Sequence, residues 1–311
     1  MIEVNHLVRT FGRLVAVDDL SLRVVPGEIL GFLGPNGAGK STTMKIIAGY
    51  LKPTSGEVLV NGINVEEDPL RVKQQIGYLP EGAPAYEEMT PRSFLTFIAE
   101  LRGFNGTAIK ERLTEVVHAM SLDEVLDQRI ETLSKGFKRR VGLAQAIIHD
   151  PKILILDEPT DGLDPNQKHQ VRELIRGLSK DKIIIVSTHI LEEVTAVCTR
   201  AVIISAGKVL EDCEPRVLEM KSRYHGAVTV TCQDAIGFAL FTDGLEKVGN
   251  IASVALQPEY LRVTLFTLNR DVSILLSVAR LLEELDVAAD IVSEKGRLDD
   301  VFRSITEPGA A

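Results

Sequence analysis

Short runs of consecutive apolar residues recur along the first two thirds of the chain and alternate with segments of helical periodicity. Four of these runs occupy residues 29–33, 153–156, 183–186 and 202–204. Apolar runs without alternation are typical of strands that are buried on both faces. The pattern therefore predicts an α/β fold in which helices cover both sides of a parallel sheet.

Two other segments depart from this core pattern. Residues 15–24 and 56–60 favour strands of a small antiparallel layer beside the parallel sheet. Residues 88–145 are mostly of helical character, with breaks expected at Pro91, Gly103 and Gly106. We interpret this stretch as a helical insertion within a first domain that covers residues 1–220.

The last third of the chain shows the alternation of half-buried strands. Val228, Val230 and Cys232 alternate with threonines, and the same period recurs in residues 252–256 and 261–265 around an expected turn at Pro258. A helical spacing follows at Val272, Leu275, Leu276, Ala279, Leu282 and Leu285. The resulting β-α-β-β-α-β order predicts a small α+β domain of ferredoxin-like fold over residues 227–311, with a last short helix at residues 298–305.

Length and charge narrow the class of protein. A chain of 311 residues is long for one domain and favours two. Its 35 basic and 44 acidic residues give a net charge of −9, and residues 226–311 alone hold 7 basic and 13 acidic residues. This acidic balance argues against a surface that coats nucleic acid, so no nucleic-acid partner is expected.

The sequence gives no sign of secretion or membrane insertion. Its three cysteines are well spread and lack metal-type spacing, which favours reduced thiols. The N-terminus lacks the apolar core of a signal peptide, and no run of about 18 apolar residues occurs. We therefore expect a soluble cytoplasmic protein.

Candidate chemistry begins with the sequence GPNGAGKST at residues 34–42, between an apolar run and the helical segment 42–48. It fits the P-loop pattern G-x-x-x-x-G-K-[ST], in which backbone N–H groups cradle phosphates, the lysine reaches the β- and γ-phosphates, and the hydroxyl binds Mg²⁺. A glycine-rich turn that binds nothing is the alternative. The residues expected to hold a nucleoside triphosphate are Gly34, Pro35, Asn36, Gly37, Ala38, Gly39, Lys40, Ser41 and Thr42.

Two adjacent acids, Asp157 and Glu158, follow the apolar run 153–156. In a P-loop enzyme, the first acid positions Mg²⁺ and the second activates the attacking water as general base. Two solvated acids that merely end a strand are the alternative.

Taken in order, these motifs resemble the nucleotide-binding subunit of ABC transporters, over residues 1 to about 220. The segment LSKGFKRR at 133–140 resembles the signature motif of that family. The resemblance implies that Ser134 and Gly136 face the ATP held by a second copy, so that a homodimer encloses two ATP and two Mg²⁺ sites. An ordinary helix N-cap is the alternative for Ser134.

Three further positions match the family by their order in the chain. Phe11 matches the aromatic residue that stacks on adenine, Asp164 the loop that touches the opposite subunit, and His189 the switch histidine that contacts the γ-phosphate. The alternatives are a core phenylalanine, turn chemistry before a proline and an ordinary loop histidine. The resemblance thus implies catalytic roles for Glu158, Lys40, His189 and Ser134.

Two departures from the family pattern stand out. Glu81 occupies a position that usually carries Gln and senses Mg²⁺ and γ-phosphate, so we expect it near the metal together with Ser41 and Asp157. Lys135 and Phe137 replace the usual Gly and Gln of the signature. With both changes, the sequence resembles a subset of exporter-type ABC ATPases, which pair with drug, polysaccharide, sodium or gliding-motility permeases.

The resemblance implies an ATPase subunit that powers a separate integral membrane permease, at the cytoplasmic face of the membrane and in the direction of export. In the family, residues 82–104 help to receive the permease; Pro84 and Tyr86 suit that surface, whereas Phe94 and Phe97 favour plain helix packing. A soluble ABC ATPase that acts on ribosomes or DNA without a permease is the alternative. For the tail, effector binding, dimerisation and capping of the core all stay open.

Overall fold

The computed structural model describes residues 1–83, 85–267 and 274–306. It divides the chain into two compact units, Met1–Pro215 and Arg216–Ala311. Two residues named in the predictions above, Pro84 and Val272, lie outside the described residues.

The first unit contains two sheets. Its strands are β1 (Ile2–Phe11), β2 (Leu14–Val24), β3 (Ile29–Leu33), β4 (Ser55–Val60), β5 (Ile63–Asn64), β6 (Ile76–Leu79), β7 (Ile153–Asp157), β8 (Ile183–Thr188), β9 (Arg200–Ser205) and β10 (Lys208–Cys213). Its helices are α1 (Lys40–Ile47), α2 (Pro69–Gln75), α3 (Pro91–Leu101), α4 (Gly106–Ala119), α5 (Lys135–Ile147), α6 (Pro165–Leu178) and α7 (Leu191–Val197).

The larger sheet has the strand order β10-β9-β3-β8-β7-β6, and the strands from β9 to β6 run parallel, with β10 antiparallel at one edge. Successive residues of β8 pack into opposite layers, Ile183 and Ile185 into one core cluster and Ile184 and Val186 into the other. The prediction of a parallel sheet that is buried on both faces is confirmed.

The smaller sheet has the order β2-β1-β4-β5 and is antiparallel throughout. It contains the two segments predicted to form an antiparallel layer, residues 15–24 in β2 and residues 56–60 in β4. Its apolar residues Ile2, Val4 and Val58 join the same core cluster as α1 and one face of the larger sheet. The smaller sheet therefore packs in the same core as α1, the helix that follows residues 34–39.

The helices of the insertion are separated at the residues where breaks were predicted. Pro91 and Gly106 are the first residues of α3 and α4, and Gly103 lies in the turn between them. Proline suits a first helical position because its missing N–H would have no partner there. Thr90 caps α3 by accepting a hydrogen bond from the Ser93 N–H.

The second unit is built from β11 (Val228–Cys232), β12 (Ile251–Gln257), β13 (Arg262–Thr267) and β14 (Ala289–Ser293), with α9 (Ala235–Asp243), α10 (Ile274–Glu284) and α11 (Leu298–Thr306); α8 (Pro215–Lys221) precedes them. The strand order is β12-β13-β11-β14, and every neighbouring pair is antiparallel. Helices α9 and α10 pack on the face that carries Val228 and Val230. Within the described residues of either unit, no helix has the length and apolar character that crossing a membrane requires.

Candidate functional site

The parallel strands bring several loops to one edge of the larger sheet. The register pairs Leu33, the last residue of β3, with Thr188 at the end of β8, and Asp157 at the end of β7 with Ser187. Because the carboxyl ends of parallel strands lie at the same edge, the segments that follow Leu33, Asp157 and Thr188 emerge side by side. Ligands of open α/β sheets bind at this edge.

The loop 34–39 approaches its neighbours too closely for a side chain at its first and last positions. A Cβ on Gly34 would lie 2.3 Å from the Ile204 carbonyl oxygen, and one on Gly39 would lie 2.3 Å from the Ala16 carbonyl oxygen. Gly39 also has φ +104°, which disfavours any other residue. It is the N-cap of α1, and no described side chain caps this helix end. The first N–H groups of α1 are therefore suited to an anion.

Lys40 is buried beside this loop. Its Nζ donates hydrogen bonds to the carbonyl oxygens of Gly34, at 2.7 Å, and Pro35, at 3.1 Å. Burial lowers the pKa of Lys40, and the carboxylates of Glu158, Asp157 and Glu81 oppose that shift. Glu81 thus lies within electrostatic reach of the lysine, at the same edge of the sheet.

Asp157 is only 2% exposed, so the alternative of a solvated acid is wrong for this residue. Its Oδ1 accepts a hydrogen bond from Ser187 Oγ at 2.5 Å, and its Oδ2 is buried with no hydrogen-bond partner among the described residues. A buried, unpartnered carboxylate oxygen fits a Mg²⁺ ion or its water shell. The described ranges contain no group of three His, Cys, Asp or Glu side chains that could hold a metal. Mg²⁺ would therefore need phosphate oxygens and the Ser41 hydroxyl as well.

Glu158 and His189 form a pair at the mouth of the site, with Glu158 Oε1 lying 3.0 Å from His189 Nδ1. Glu158 has φ +50°, which is uncommon for a residue with a side chain. Its N–H donates to Ser187 Oγ at 2.9 Å, so a single serine contacts both adjacent acids. The histidine is about half exposed, whereas the carboxylate is mostly buried.

Arg139, which the sequence analysis missed, crosses from α5 to the ends of two strands. Its Nη2 donates to the carbonyl oxygens of Asp157 and Glu158, and its Nη1 donates to the Pro80 carbonyl oxygen at 3.3 Å. Burial lowers the pKa of Arg139, and nearby acids, Asp161 first among them, oppose that shift. No feature of the sequence distinguishes this arginine from Arg140, so no pattern could have found it.

The N-termini of α5 and α6 lie together. Ser134 caps α5 by accepting a hydrogen bond from the Phe137 N–H at 3.3 Å, and Asp164 caps α6 by accepting one from the Gln167 N–H at 2.9 Å. A Cβ on Gly136 would lie 2.6 Å from Gln167 Oε1. Ser134 and Asp164 are therefore both helix N-caps within one chain. In the described part of one chain, Ser134 makes no hydrogen bond to residues 34–42.

Two aromatic predictions have clear outcomes. Phe11 is 45% exposed, with the Arg9 guanidinium 4.4 Å from its ring centroid, so the alternative of a core phenylalanine is wrong. Phe94 is buried in the helical cluster, as plain helix packing predicts, whereas Tyr86 is exposed and contacts the rings of Phe94 and Phe97 edge-on.

Comparison with known proteins identifies relatives of this chain. The model of the ABC transporter family matches residues 17–161. The ABC transporter ATP-binding protein NatA of Bacillus subtilis is 39% identical over 197 residues, which make up 63% of this chain and 80% of that protein. The Nod factor export ATP-binding protein I of Rhizobium etli is 35% identical over 218 residues, covering 70% of this chain and 69% of that protein.

One solved structure, of the ATP-binding subunit of an ABC transporter, is 31% identical to this chain with a TM-score of 0.66. The matched region covers 71% of this chain and 92% of the chain in that structure.

Proposed function

Because the chain belongs to the family of ABC transporter ATP-binding proteins, we propose that it hydrolyses ATP with Mg²⁺ and thereby powers a separate membrane permease in the direction of export. The observation that carries the proposal is the convergence at one sheet edge of the Lys40 loop, the buried Asp157 and the Glu158–His189 pair. Export draws support from the relative whose name describes export of Nod factor and from the departures at Glu81 and Lys135.

The side chains divide the chemistry between them. On nucleotide binding, Lys40 exchanges the two loop carbonyls for β- and γ-phosphate oxygens, and the N–H groups of α1 add to the field. Glu158 accepts the proton of the attacking water, while His189 orients that carboxylate and contacts the γ-phosphate. Ser41 and Asp157, with Glu81 nearby, would hold Mg²⁺ together with the phosphates, and the ion would supply positive charge to the phosphoryl group.

The assembly is a homodimer in which each ATP lies between two copies. Ser134 and Lys135 are exposed at the N-terminus of α5, and Asp164 is exposed at the N-terminus of α6. This end of α5 presents a hydroxyl, N–H groups and the positive end of the helix dipole to solvent. In the dimer it faces the γ-phosphate bound by Gly34–Thr42 of the second copy, and Phe11 stacks on the adenine.

Residues 227–311 form an accessory domain of ferredoxin-like fold, and residues 1–220 form the ATPase domain. The support is the β-α-β-β-α-β order together with the strand order β12-β13-β11-β14 and its antiparallel pairing. The domain takes an interaction role. Deleting residues 227–311 then alters dimerisation or effector response, whereas capping alone leaves both unchanged.

Phosphate release by the purified chain tests the hydrolysis. We expect Mg²⁺-dependent release that Lys40→Ala abolishes and that Lys45→Ala, a change at an exposed lysine of the same helix, leaves intact. Equal rates for Lys40→Ala and the parent would refute the site.

Affinity purification from membranes tests the partner. Co-purification of an integral membrane protein would support a permease partner. The exposed Tyr86 belongs to the surface proposed to receive it. Tyr86→Ala should therefore weaken the co-purification. Co-sedimentation with ribosomes in place of a membrane protein would overturn the proposal.

A further inference from the structure

One buried carboxylate, that of Glu193, has no role in the proposed catalysis but lies close to the residues that do. Glu193 lies on α7 and is 5% exposed. Its Oε1 accepts a hydrogen bond from Thr160 Oγ1 at 2.6 Å, and its Oε2 accepts one from Thr188 Oγ1 at 2.9 Å. Each carboxylate oxygen therefore accepts from one threonine; Thr160 lies in the loop after β7, and Thr188 is the last residue of β8.

These threonines lie next to the residues of the proposed reaction. Thr160 is two positions after Glu158, and Thr188 directly precedes His189. Thr188 Oγ1 also accepts a hydrogen bond from the Ile190 N–H at 3.0 Å, so the backbone on both sides of His189 is tied to this hydroxyl. Through Thr160 and Thr188, one carboxylate links the loop that follows Glu158 to the end of β8 beside His189.

Two cations compensate the buried charge. Lys168 Nζ and Arg172 Nη2, both from α6, lie 3.6 Å from Glu193 Oε1. A buried carboxylate is costly unless it is paired and hydrogen-bonded, and Glu193 is both. The same contacts tie Glu193 to the helix that Asp164 caps.

We propose that Glu193 is a positioning residue for hydrolysis, one that holds the Glu158 loop, the His189 turn and helix α6 in a single arrangement. The inference rests on the proposed function. The Glu158 Oε1–His189 Nδ1 contact of 3.0 Å is the feature it maintains. Misplacement of a reacting group by about 1 Å can cost about 100-fold in rate, so a residue that touches no substrate can still govern turnover.

Glutamine at this position cannot reproduce all the contacts. Both threonine hydroxyls donate hydrogen bonds to Glu193, and Lys168 and Arg172 form ion pairs with its Oε1. An amide is uncharged, offers one accepting oxygen and carries an NH₂ donor in place of the other oxygen. Glu193→Gln keeps the shape of the side chain but removes the charge that the two cations pair with, and only one threonine can still donate to it.

The experiment compares Glu193→Gln with Glu192→Gln, its exposed neighbour on α7, in the full chain. For Glu193→Gln we expect kcat for Mg·ATP hydrolysis to fall between about 10-fold and about 100-fold, with ATP affinity within about twofold of the parent. Glu192→Gln should match the parent in both. Thr160→Val and Thr188→Val each remove one hydroxyl and should lower kcat in the same sense; they stand in if Glu193→Gln fails to fold.

A double-mutant cycle with Glu158→Gln separates positioning from a general loss of structure. If Glu193 acts through Glu158, adding Glu193→Gln to Glu158→Gln lowers kcat by less than twofold, although it lowers the parent rate much more. Additive losses of kcat in the double mutant, or a loss of ATP affinity with kcat unchanged, would overturn the role of Glu193 but leave the proposed function standing. If hydrolysis by the parent did not depend on Glu158, the proposed function would fall, and the inference with it.

Discussion

Ser187 offers the sharpest test of how the two adjacent acids are held. It is fully buried, and its hydroxyl donates to Asp157 Oδ1 at 2.5 Å and accepts from the Glu158 N–H at 2.9 Å. Ser187→Ala removes this oxygen without adding volume. The Glu158 N–H keeps the Ser187 carbonyl as a partner at 3.2 Å, so the main loss falls on the Asp157 carboxylate.

The size of the effect follows from that carboxylate. Among the described residues, Ser187 is its one hydrogen-bond donor, and hydrogen bonds to charged groups contribute about 1.5–3 kcal/mol. For a unit of this size, a loss of 1 kcal/mol lowers Tm by about 2–4 °C. We therefore expect the first unit of Ser187→Ala to melt about 3–12 °C below the parent. Saturating Mg·ATP should narrow the gap, because a metal at Asp157 supplies the missing positive partner.

The assay is thermal unfolding of the full chain, with and without Mg·ATP, against Ser55→Ala. Ser55 is exposed on β4 of the same unit, so that variant should melt with the parent. A Tm for Ser187→Ala equal to that of Ser55→Ala, without nucleotide, would refute the reasoning. A gap that widens on adding Mg·ATP would contradict the placement of the metal.

Three further outcomes are expected. Burial, reinforced by the charge of Arg102, lowers the pKa of His149 from 6.5 to about 4. As the pH falls, His149 therefore becomes protonated in the unfolded chain before it does so in the folded one. Stability should fall as pH drops from about 6.5 to about 4, and His149→Asn should flatten that dependence in urea titrations at each pH. Gly34→Ala should abolish nucleotide binding in a fluorescence titration, because its Cβ would lie 2.3 Å from the Ile204 carbonyl oxygen. Gly177→Ala, at an exposed position of α6 with no atom within 4 Å of its Cβ, should instead raise stability by about 0.5–1 kcal/mol.

The parts that could be predicted from the sequence are those whose evidence is local. Residues 183–186 are apolar without alternation because β8 packs on both faces, and the same reason holds for β3 and β7. The loop 34–39 carries Gly34 and Gly39 where backbone atoms approach it, and Asp157 and Glu158 are adjacent in the chain. A local pattern predicts both the fold class and this centre of the site.

The residues that escaped prediction act across long separations. Ser187 contacts Asp157 from 30 positions away, Arg139 contacts it from 18, and Glu193 contacts Thr160 from 33. Each of these contacts depends on strand register or on helix packing that leaves no local pattern. Glu193 in particular is indistinguishable in sequence from its exposed neighbour Glu192, and only burial separates them.

The account depends most directly on the carboxylate of Glu158. Steady-state phosphate release by Glu158→Gln, measured beside ATP binding by the same protein, tests it in one experiment. We expect kcat to fall by about 10²–10⁴-fold, as the loss of a general base implies, while ATP binding persists because Lys40 and the loop 34–39 are untouched. Hydrolysis at the parent rate would contradict the central claim.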